Sequence, residues 1–224
     1  IRLIKDGYRA FSSTITSDEK FEKDINVNLK TEIQARFDES PKIYENSIGA
    51  KMIIFEPTKK FSLGSPRSDI GHRANETIRE VIITKPFYVS RDLVTEEQYS
   101  KFKQGKVKNN DNPKTKINWL EAALFCNWLS EKEGLDKVYN FKNGLYAGIN
   151  IKSNGYRLMT ESEWVWVARY YKKRRITRFS WGNDFPPRRD VGNLAGEEVK
   201  SINLSFIGKY KDSFTGLSPV GSFK

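Results

Sequence analysis

Two side chains, one thiol and one imidazole, limit the redox and nucleophilic chemistry open to this sequence. Cys126 is the only cysteine and His72 is the only histidine. A lone cysteine forms neither an internal disulfide nor a thiolate zinc site, and a lone histidine excludes a multi-histidine iron or zinc centre. A Ser-His-Asp triad is excluded as well, unless His72 serves it. Cys126 follows Phe125 in a helical stretch, so we expect a buried, inert thiol; His72 in the polar segment SDIGHRANE is expected to be exposed.

The net charge of +11 raises the question of an anionic partner such as nucleic acid. The densest basic cluster follows a predicted helix and consists of Lys172, Lys173, Arg174, Arg175 and Arg178. A solvated helix end is the simpler interpretation, because basic side chains suit the exposed carbonyls and the dipole at a helix C-terminus. No zinc-finger or RNA-binding aromatic motif accompanies the cluster. We therefore predict no nucleic-acid partner, and the role of the cluster stays open.

Composition indicates one main globular domain with a small appendage. The chain has 224 residues, of which 38% are hydrophobic and 13% aromatic, enough for a sizeable core rich in Trp and Tyr. No run approaches the roughly 18 apolar residues that cross a bilayer. The first residue is Ile1, which leaves open a leader or anchor upstream, so membrane association is expected only through such upstream sequence.

Three helix starts carry the spacing of a capping box, in which the cap side chain and the residue three positions on satisfy each other's backbone N–H. The pairs are Thr95 with Gln98, Asn118 with Glu121, and Thr160 with Glu163. They predict helices over 96–104, from 119 to near Gly134, and from about Glu161. In the last helix, Trp164, Val167 and Ala168 lie at helical spacing and predict a face to be buried, with Trp181 as a large anchor beyond it.

Strand and turn signals fill the remaining segments. Strands are predicted at about 51–56 and 79–90. Asn143-Gly144 and Asn154-Gly155 are turn signals that predict a hairpin insertion between the second and third helices. The segment after Trp181 is rich in Gly, Pro and Asn and predicts long irregular loops.

Ordered motifs across positions 50–224 resemble the formylglycine-generating enzyme, or sulfatase-modifying factor, family. The segment YRLMTESEWVWVAR followed by FSWGND resembles the family's Arg-Leu-Pro-Thr-Glu-Ala-Glu-Trp, Ala-Arg and Trp-Gly-Asn pattern, with Met159 in place of proline and Ser162 in place of alanine. MIIFEPTKKFSLGS resembles its opening strand and Met-Gly-Ser segment. VIITKPFYVSRDLVTEEQYSKF and INWLEAALFCNWLSEKEG resemble the two stretches that follow in the family.

The residues before position 50 show a sequence pattern that differs from the family-like motifs of the main domain. Residues 1–30 predict short antiparallel strands broken by Asp6-Gly7 and by a charged turn at Ser17 to Lys20. Their Gly-Tyr step, Thr-Ile-Thr and Ile-Asn-Val-Asn-Leu are similar to the end of a PEGA domain, a small β-module of bacterial envelope proteins. Residues 31–49 predict a linker or helical connector, and residues 50–224 the main domain.

The resemblance implies an α+β protein with a variant of the C-type lectin fold, much irregular loop and a small β segment at the N-terminus. It also implies structural calcium, bound through an Asn side chain, the next backbone carbonyl and an Asp-x-Phe step. The matching residues here are Asn193, Leu194, Asp212 and Phe214. Oxygen donors of this kind are those that calcium prefers, although two side chains make a modest site. In the alternative interpretation, Asn193 and Asp212 only cap turns.

The resemblance also shows which chemistry this sequence lacks. Family enzymes oxidise a sulfatase cysteine to formylglycine with copper held by a pair of cysteines near the C-terminal end of the domain, and soft thiolates suit Cu(I). This sequence carries neither cysteine of that pair and ends at SPVGSFK, which resembles the segment just before the catalytic part. Catalytic residues are therefore not assigned, and copper is expected only if a missing C-terminal part carries the pair. The absent part would normally cover surface of Trp164, Trp166 and Trp181, which predicts either a protein partner that completes the domain or an exposed apolar patch.

Two functions follow from these expectations. The favoured one is a non-catalytic family module, a pseudoenzyme used as a protein-binding or scaffold domain in the bacterial envelope, periplasmic or membrane-associated. The alternative is the N-terminal part of an active copper-dependent formylglycine-generating oxidase. An iron-dependent sulfoxide synthase of the same superfamily is more remote, because it needs a histidine-rich iron site. Fold by itself does not license activity.

Overall fold

The computed structural model describes residues 1–14, 26–57, 59–69, 71–105, 107, 110–172, 176–188, 191–202 and 205–223. The helices are α1 (Glu32–Glu39), α2 (Glu96–Phe102), α3 (Trp119–Lys132) and α4 (Glu161–Arg169), with a 3₁₀ helix at Glu197–Ile202. The strands are β1 (Arg2–Leu3), β2 (Phe11–Ser12), β3 (Ile43–Glu45), β4 (Lys51–Phe55), β5 (Phe61–Leu63), β6 (Arg79–Val81), β7 (Phe87–Ser90), β8 (Tyr139–Lys142) and β9 (Leu145–Ile149). Helices and small antiparallel sheets joined by irregular segments confirm the α+β prediction. None of the helices in these ranges combines the length and apolarity needed to cross a bilayer.

All three predicted capping boxes are present. The backbone N–H groups of Gln98, Glu121 and Glu163 donate to the cap side chains over 3.1, 2.9 and 3.2 Å. Each of these three side chains bonds back to the N–H of its cap residue. The helix starts are thus fixed by residues three positions apart, as local geometry requires.

The predicted single strand over 79–90 is wrong, because the segment forms two strands of different sheets. β6 pairs with β5, whereas β7 pairs with β4 in the antiparallel sheet β3-β4-β7. Pro86 stands directly before β7, and a proline has no backbone N–H with which to continue a ladder.

Residues 31–49, the predicted linker or helical connector, contain α1 and then β3. Strand β3 pairs with β4. Ile48 is 2% exposed, and the Asn46 side chain accepts hydrogen bonds from the backbone N–H groups of Ile48 (3.2 Å) and Ala50 (2.9 Å). The end of this segment is therefore packed into the core of the main domain.

Two antiparallel pairings follow the predicted turns. At the N-terminus β1 pairs with β2, while the turn predicted at Ser17 to Lys20 lies outside the described residues. Strands β8 and β9 form the predicted hairpin through Asn143 (φ 51°) and Gly144 (φ 75°), two left-handed residues that suit the twist of a tight hairpin. The second turn signal, at Asn154-Gly155, lies after the hairpin instead, where an added Cβ on Gly155 would be 2.0 Å from the Asp136 carbonyl oxygen.

Helix α3 lies at the centre of the core. One buried cluster on it consists of Ile48, Ala50, Met52, Tyr99, Phe125 and Leu129, and a second of Ala123, Cys126, Val138 and Tyr139. Asn127, 6% exposed, joins α3 to β8 by three hydrogen bonds with the backbone of Val138 and Tyr139. Nothing in the sequence around Asn127 indicated that this polar side chain would be buried.

The prediction that Trp164 belongs to a buried face of α4 is wrong. Trp164 is 60% exposed, whereas Glu163 is 6% exposed and forms a bidentate ion pair with Arg157 at 2.5 and 2.7 Å. Neighbouring helical residues point about 100° apart, so turning Glu163 inward turns Trp164 toward solvent. Val167 is half-buried, and Trp166 packs edge-on against Phe55 at 6.0 Å.

Candidate functional site

The loops after residue 191 are held together by one buried tyrosine. Tyr210 is 1% exposed, and its hydroxyl donates to the carbonyl of Gly192. Its own carbonyl accepts the N–H of Glu197 at 2.8 Å, and the N–H of Ile207 donates to the Ala195 carbonyl at 2.7 Å. These bonds bring the segment that starts at Gly192 beside the segment that leads to Asp212.

Asp212 connects three of the four residues proposed to bind calcium. It is 6% exposed, and its two carboxylate oxygens accept the backbone N–H groups of Leu194 (2.7 Å) and Phe214 (2.8 Å). Ser213 between Asp212 and Phe214 has φ 75°, a left-handed conformation that costs energy for a non-glycine residue and is held here by the bonds on either side. Residues 18 positions apart in sequence therefore meet at one carboxylate.

Asn193 joins the same loop cluster from the other side. Its amide nitrogen donates to the Gly216 carbonyl at 2.8 Å and to the Ser218 hydroxyl at 3.2 Å. The side-chain orientation is thereby fixed, and the amide oxygen accepts no hydrogen bond from the part of the chain that the structure describes.

The donor set fits a hard cation. The carbonyls of Leu194 and Phe214 accept no backbone hydrogen bond among the described residues, which leaves two carbonyls, one amide oxygen and the Asp212 carboxylate as oxygen donors. Each oxygen of Asp212 keeps a lone pair beyond the N–H that it accepts. The same bonds are those of a turn-capping Asn and Asp, so the alternative interpretation of these residues also fits their contacts.

Cys126 behaves as predicted. It is 9% exposed in the core beside Val138 and Tyr139. Desolvation raises the pKa of its thiol to about 12, so at neutral pH it is neither a nucleophile nor a thiolate ligand.

The prediction that His72 is exposed is wrong. Its side chain is only 17% exposed, and Nδ1 lies 2.9 Å from the Ser65 hydroxyl. The Ser65 hydroxyl donates its proton to the Glu76 carboxylate at 2.8 Å, and this hydrogen bond lowers the pKa of the Glu76 carboxyl. Because the hydroxyl has only one proton, the imidazole of His72 must be the donor in its hydrogen bond with Ser65. A serine whose proton points to a carboxylate instead of to the imidazole is not arranged as a triad nucleophile.

Only the ends of the basic cluster fall within the described residues. Lys172 lies over the Tyr171 ring at 5.1 Å, and Arg178 pairs with Asp69 at 3.4 Å. Lys173, Arg174 and Arg175 lie outside the described residues.

A second surface feature, which the sequence did not indicate, is an exposed aromatic group at the hairpin. Trp119 and Tyr146 are 48% and 49% exposed, and their rings meet edge-to-face at 5.1 Å. Trp119 also contacts Tyr139 at 5.4 Å, and Tyr139 accepts the N–H of Leu158 through its hydroxyl. We call Trp119, Tyr146 and Leu158 the hairpin patch. It lies on the side of α3 where the chain enters the helix.

Comparison with known proteins decides the family. The sequence model of the sulfatase-modifying factor enzyme 1-like domain matches residues 50–224. The chain belongs to this family. The family prediction is thus confirmed for the main domain, while the PEGA-like N-terminal segment stays a prediction.

Individual relatives of this sulfatase-modifying-factor-like chain are distant. The "Chaperone protein LppX" of Paenibacillus barcinonensis is 26% identical over 115 residues, and the match covers 44% of this chain and 41% of that protein. The chain thus matches less than half the length of this curated relative.

Two solved structures show a similar fold. PvdO from Pseudomonas aeruginosa has a TM-score of 0.52 at 18% identity, covering 83% of this chain and 68% of that one. Treponema denticola variable protein 1 has a TM-score of 0.54 at 20% identity, covering 80% and 73%. At these identities the likeness concerns the fold.

Proposed function

We propose that this chain is a non-catalytic sulfatase-modifying-factor-like module that acts as a protein-binding or scaffold domain in the bacterial envelope. The observation that carries the proposal is the state of its single thiol. The enzymes of the family that this sequence resembles hold copper through a pair of cysteines, and the given sequence has one cysteine, which is buried in α3 with a raised pKa. Cys126 therefore does not take the place of either ligand.

The hairpin patch supports a binding role. Exposed Trp and Tyr side chains dominate protein-binding surfaces, because they bury large areas with few rotatable bonds. Leu145 beside Tyr146 is 72% exposed and extends the apolar surface along β9. The relative from Paenibacillus is named a chaperone protein, which agrees with a role in contacting other proteins. We propose that a protein partner binds the hairpin patch. A partner that also covered the exposed Trp164 would complete the domain.

Calcium is proposed as the structural ion of the loops after residue 191. It would be held by Asn193 and Asp212 side chains and by the carbonyls of Leu194 and Phe214. Two side-chain ligands predict modest affinity, and weak calcium sites suit modules outside the cytosol, where the ion is abundant. This agrees with the proposed envelope location, periplasmic or membrane-associated.

The alternative function is the N-terminal part of an active copper oxidase, and the family description, which names an enzyme, favours it. The decisive experiment uses the protein purified from its source, incubated with Cu(I), dissolved O2 as the oxidant, a thiol reductant and a sulfatase-derived cysteine peptide. We expect no formylglycine in the peptide by mass spectrometry. Copper-dependent formylglycine formation would overturn the proposed function and support the alternative.

Binding by the hairpin patch is tested on the chain itself. We expect the wild type to suppress aggregation of reduced insulin, an unfolded client, and the double variant Trp119→Ser, Tyr146→Ser to lose at least half of that effect. Ile33→Ser is the matched control, because Ile33 is a 45% exposed apolar residue in α1. Equal suppression by all three proteins would show that the hairpin patch does not bind such clients.

A further inference from the structure

The two segments that form the hairpin patch carry basic residues and no acidic ones. Trp119 belongs to residues 112–120, whereas Tyr146 and Leu158 belong to residues 137–158, and neither segment contains Asp or Glu. The basic residues of the two segments are Lys114, Lys116, Lys137, Lys142, Lys152 and Arg157. The segments that supply the exposed aromatic rings therefore carry charge of one sign.

Only half of these cations are neutralised within the fold. Those that pair with a glutamate, at 3.1, 3.1 and 2.5 Å, are Lys114, Lys137 and Arg157. Those whose exposed side chains form no ion pair with any residue that the structure describes are Lys116, Lys142 and Lys152. We call these last three the free lysines, because their charge is available to a partner.

The free lysines flank the exposed apolar residues of both segments. Lys142 is the direct cross-strand partner of Leu145 at the tip of the hairpin. Side chains opposite each other in such a pair have Cβ atoms about 4.5–5.5 Å apart. Lys116 precedes Trp119 by three residues, and Lys152 follows the half-exposed Ile149 by three. A segment bound along the hairpin patch therefore meets positive charge beside its apolar contacts.

The carboxylate nearest to Trp119 in the sequence is already engaged. Glu121 follows Trp119 by two residues, and its carboxylate accepts the N–H of Asn118 at 3.0 Å in the capping box of α3. The negative charge at this position suits the start of the helix. It is thus held by the cap and leaves the free lysines without a partner.

The aromatic part of the hairpin patch is fixed by its own neighbours. Trp119 meets the rings of Tyr139 and Tyr146 edge-to-face, at interplanar angles of 81° and 85°. Tyr139 is 6% exposed and is bonded through its backbone to Asn127 of α3. A ring that is already held in place loses little conformational freedom on binding, so more of its contact energy contributes to affinity.

We infer that the hairpin patch binds extended polypeptide segments in which apolar side chains are flanked by Asp or Glu. This inference rests on the proposed binding function and adds to it the class of partner. The apolar side chains pack on Trp119 and Tyr146, and the carboxylates meet the free lysines. A second copy of this chain does not fit, because it brings the same unpaired cations and a net charge of +11 to the contact.

The test is the binding of two labelled peptides to the full chain, measured by fluorescence anisotropy. Both peptides share one apolar, aromatic core; the first is flanked by glutamates and the second by lysines. We expect the acidic peptide to bind at least about tenfold more tightly at low salt, since each exposed ion pair contributes up to about fivefold in affinity and like charges oppose binding. Salt of about 0.5 M should remove most of this preference by screening.

Neutralising the free lysines isolates their contribution. The variant is Lys116→Gln, Lys142→Gln, Lys152→Gln, with its fold checked by circular dichroism. We expect it to bind the acidic peptide about 5- to 30-fold more weakly than the wild type, because it loses the exposed ion pairs. Its affinity for the lysine-flanked peptide should stay the same or increase, because a repulsion is removed.

The matched control neutralises three lysines outside both segments. Its substitutions are Lys59→Gln, Lys85→Gln and Lys200→Gln, at exposed positions that form no ion pair within the described part of the chain. The net charge decreases by the same amount as in the first variant, so the comparison separates local from overall charge. We expect the control to change the affinity for the acidic peptide by less than about threefold.

The outcomes distinguish the class of partner from the binding function itself. If the two peptides bind equally, or the two triple variants lose equal affinity, the inferred class is refuted and binding by the hairpin patch stands. The class is also refuted if neither peptide binds while the hairpin patch still suppresses insulin aggregation. If insulin aggregation is likewise independent of Trp119 and Tyr146, the proposed binding function fails as well. Tighter binding of a single-stranded oligonucleotide than of the acidic peptide would overturn the inference in favour of nucleic acid.

Discussion

Replacing Asn127 by Ala tests how the core positions the hairpin patch. The Asn127 side chain accepts the N–H groups of Val138 (3.1 Å) and Tyr139 (3.0 Å) and donates to the Tyr139 carbonyl (2.7 Å). Asn127→Ala removes all three bonds inside the core. Each orphaned buried group costs about 1–3 kcal/mol. Because water or a small shift satisfies part of the loss, we expect a decrease of about 3–6 kcal/mol in the free energy of unfolding.

The assay is urea unfolding followed by far-ultraviolet circular dichroism. A loss of this size is a large share of the free energy of unfolding of a typical domain, which is roughly 5–15 kcal/mol. The urea concentration at the midpoint of unfolding should therefore fall strongly, while the dependence of the free energy on urea concentration stays unchanged. Asn140→Ala is the control, since Asn140 lies exposed on β8, and it should change stability by less than about 0.5 kcal/mol. The reasoning is refuted if Asn127→Ala loses less than about 1 kcal/mol, or if the control loses as much.

The remaining predictions concern ionisation and the loops. Burial by itself would raise the pKa of Glu163, but the hydrogen bonds from Arg157 and from the helix cap outweigh it, so the pKa is lowered. The ion pair therefore stabilises the fold at pH values above the ordinary Glu pKa, and this stabilisation is lost as the pH falls. Glu163→Gln should therefore cost about 1–3 kcal/mol at pH 7, a figure discounted because Arg157 is partly exposed. In denaturant titrations the variant should also lose less stability than the wild type as the pH falls below the ordinary Glu range. Iodoacetamide at pH 8 should modify Cys126 only as fast as the chain unfolds, and rapid labelling of folded protein, seen by intact mass, would contradict its burial. Tyr210→Phe leaves the Gly192 carbonyl without its donor and should cost about 1 kcal/mol while increasing amide hydrogen exchange at residues 192–197; unchanged exchange would show that the hydroxyl does not hold the loop.

Expectations based on near neighbours in sequence held. The capping boxes at Thr95, Asn118 and Thr160 are confirmed, because a cap and its partner three residues on meet wherever a helix starts. The turn at Asn143-Gly144 is confirmed for a similar reason, since its two residues adopt left-handed conformations more readily than others. The inert thiol of Cys126 followed from its apolar helical surroundings.

Expectations about burial were less secure. Trp164 is exposed because Arg157, outside the helix, pairs with Glu163 and turns that face inward. His72 is half-buried because its imidazole hydrogen-bonds to Ser65, which in turn hydrogen-bonds to Glu76 in the same loop. Hydrophobicity and polarity of the residue itself give no information about such partners.

The sequence by itself determined the family, the helix starts and the lack of a second thiol, since each depends on residue identity at short or fixed spacing. It also placed Asn193, Leu194, Asp212 and Phe214 in a proposed site, but only through resemblance. Tertiary structure alone decided that Asp212 bonds Leu194, 18 residues away, and that the carboxylate of Glu198, and not that of Glu197, accepts the N–H of Gly196. The physical reason is that burial and hydrogen-bond partners arise where distant segments meet, and two adjacent glutamates are indistinguishable until the chain around Tyr210 has folded.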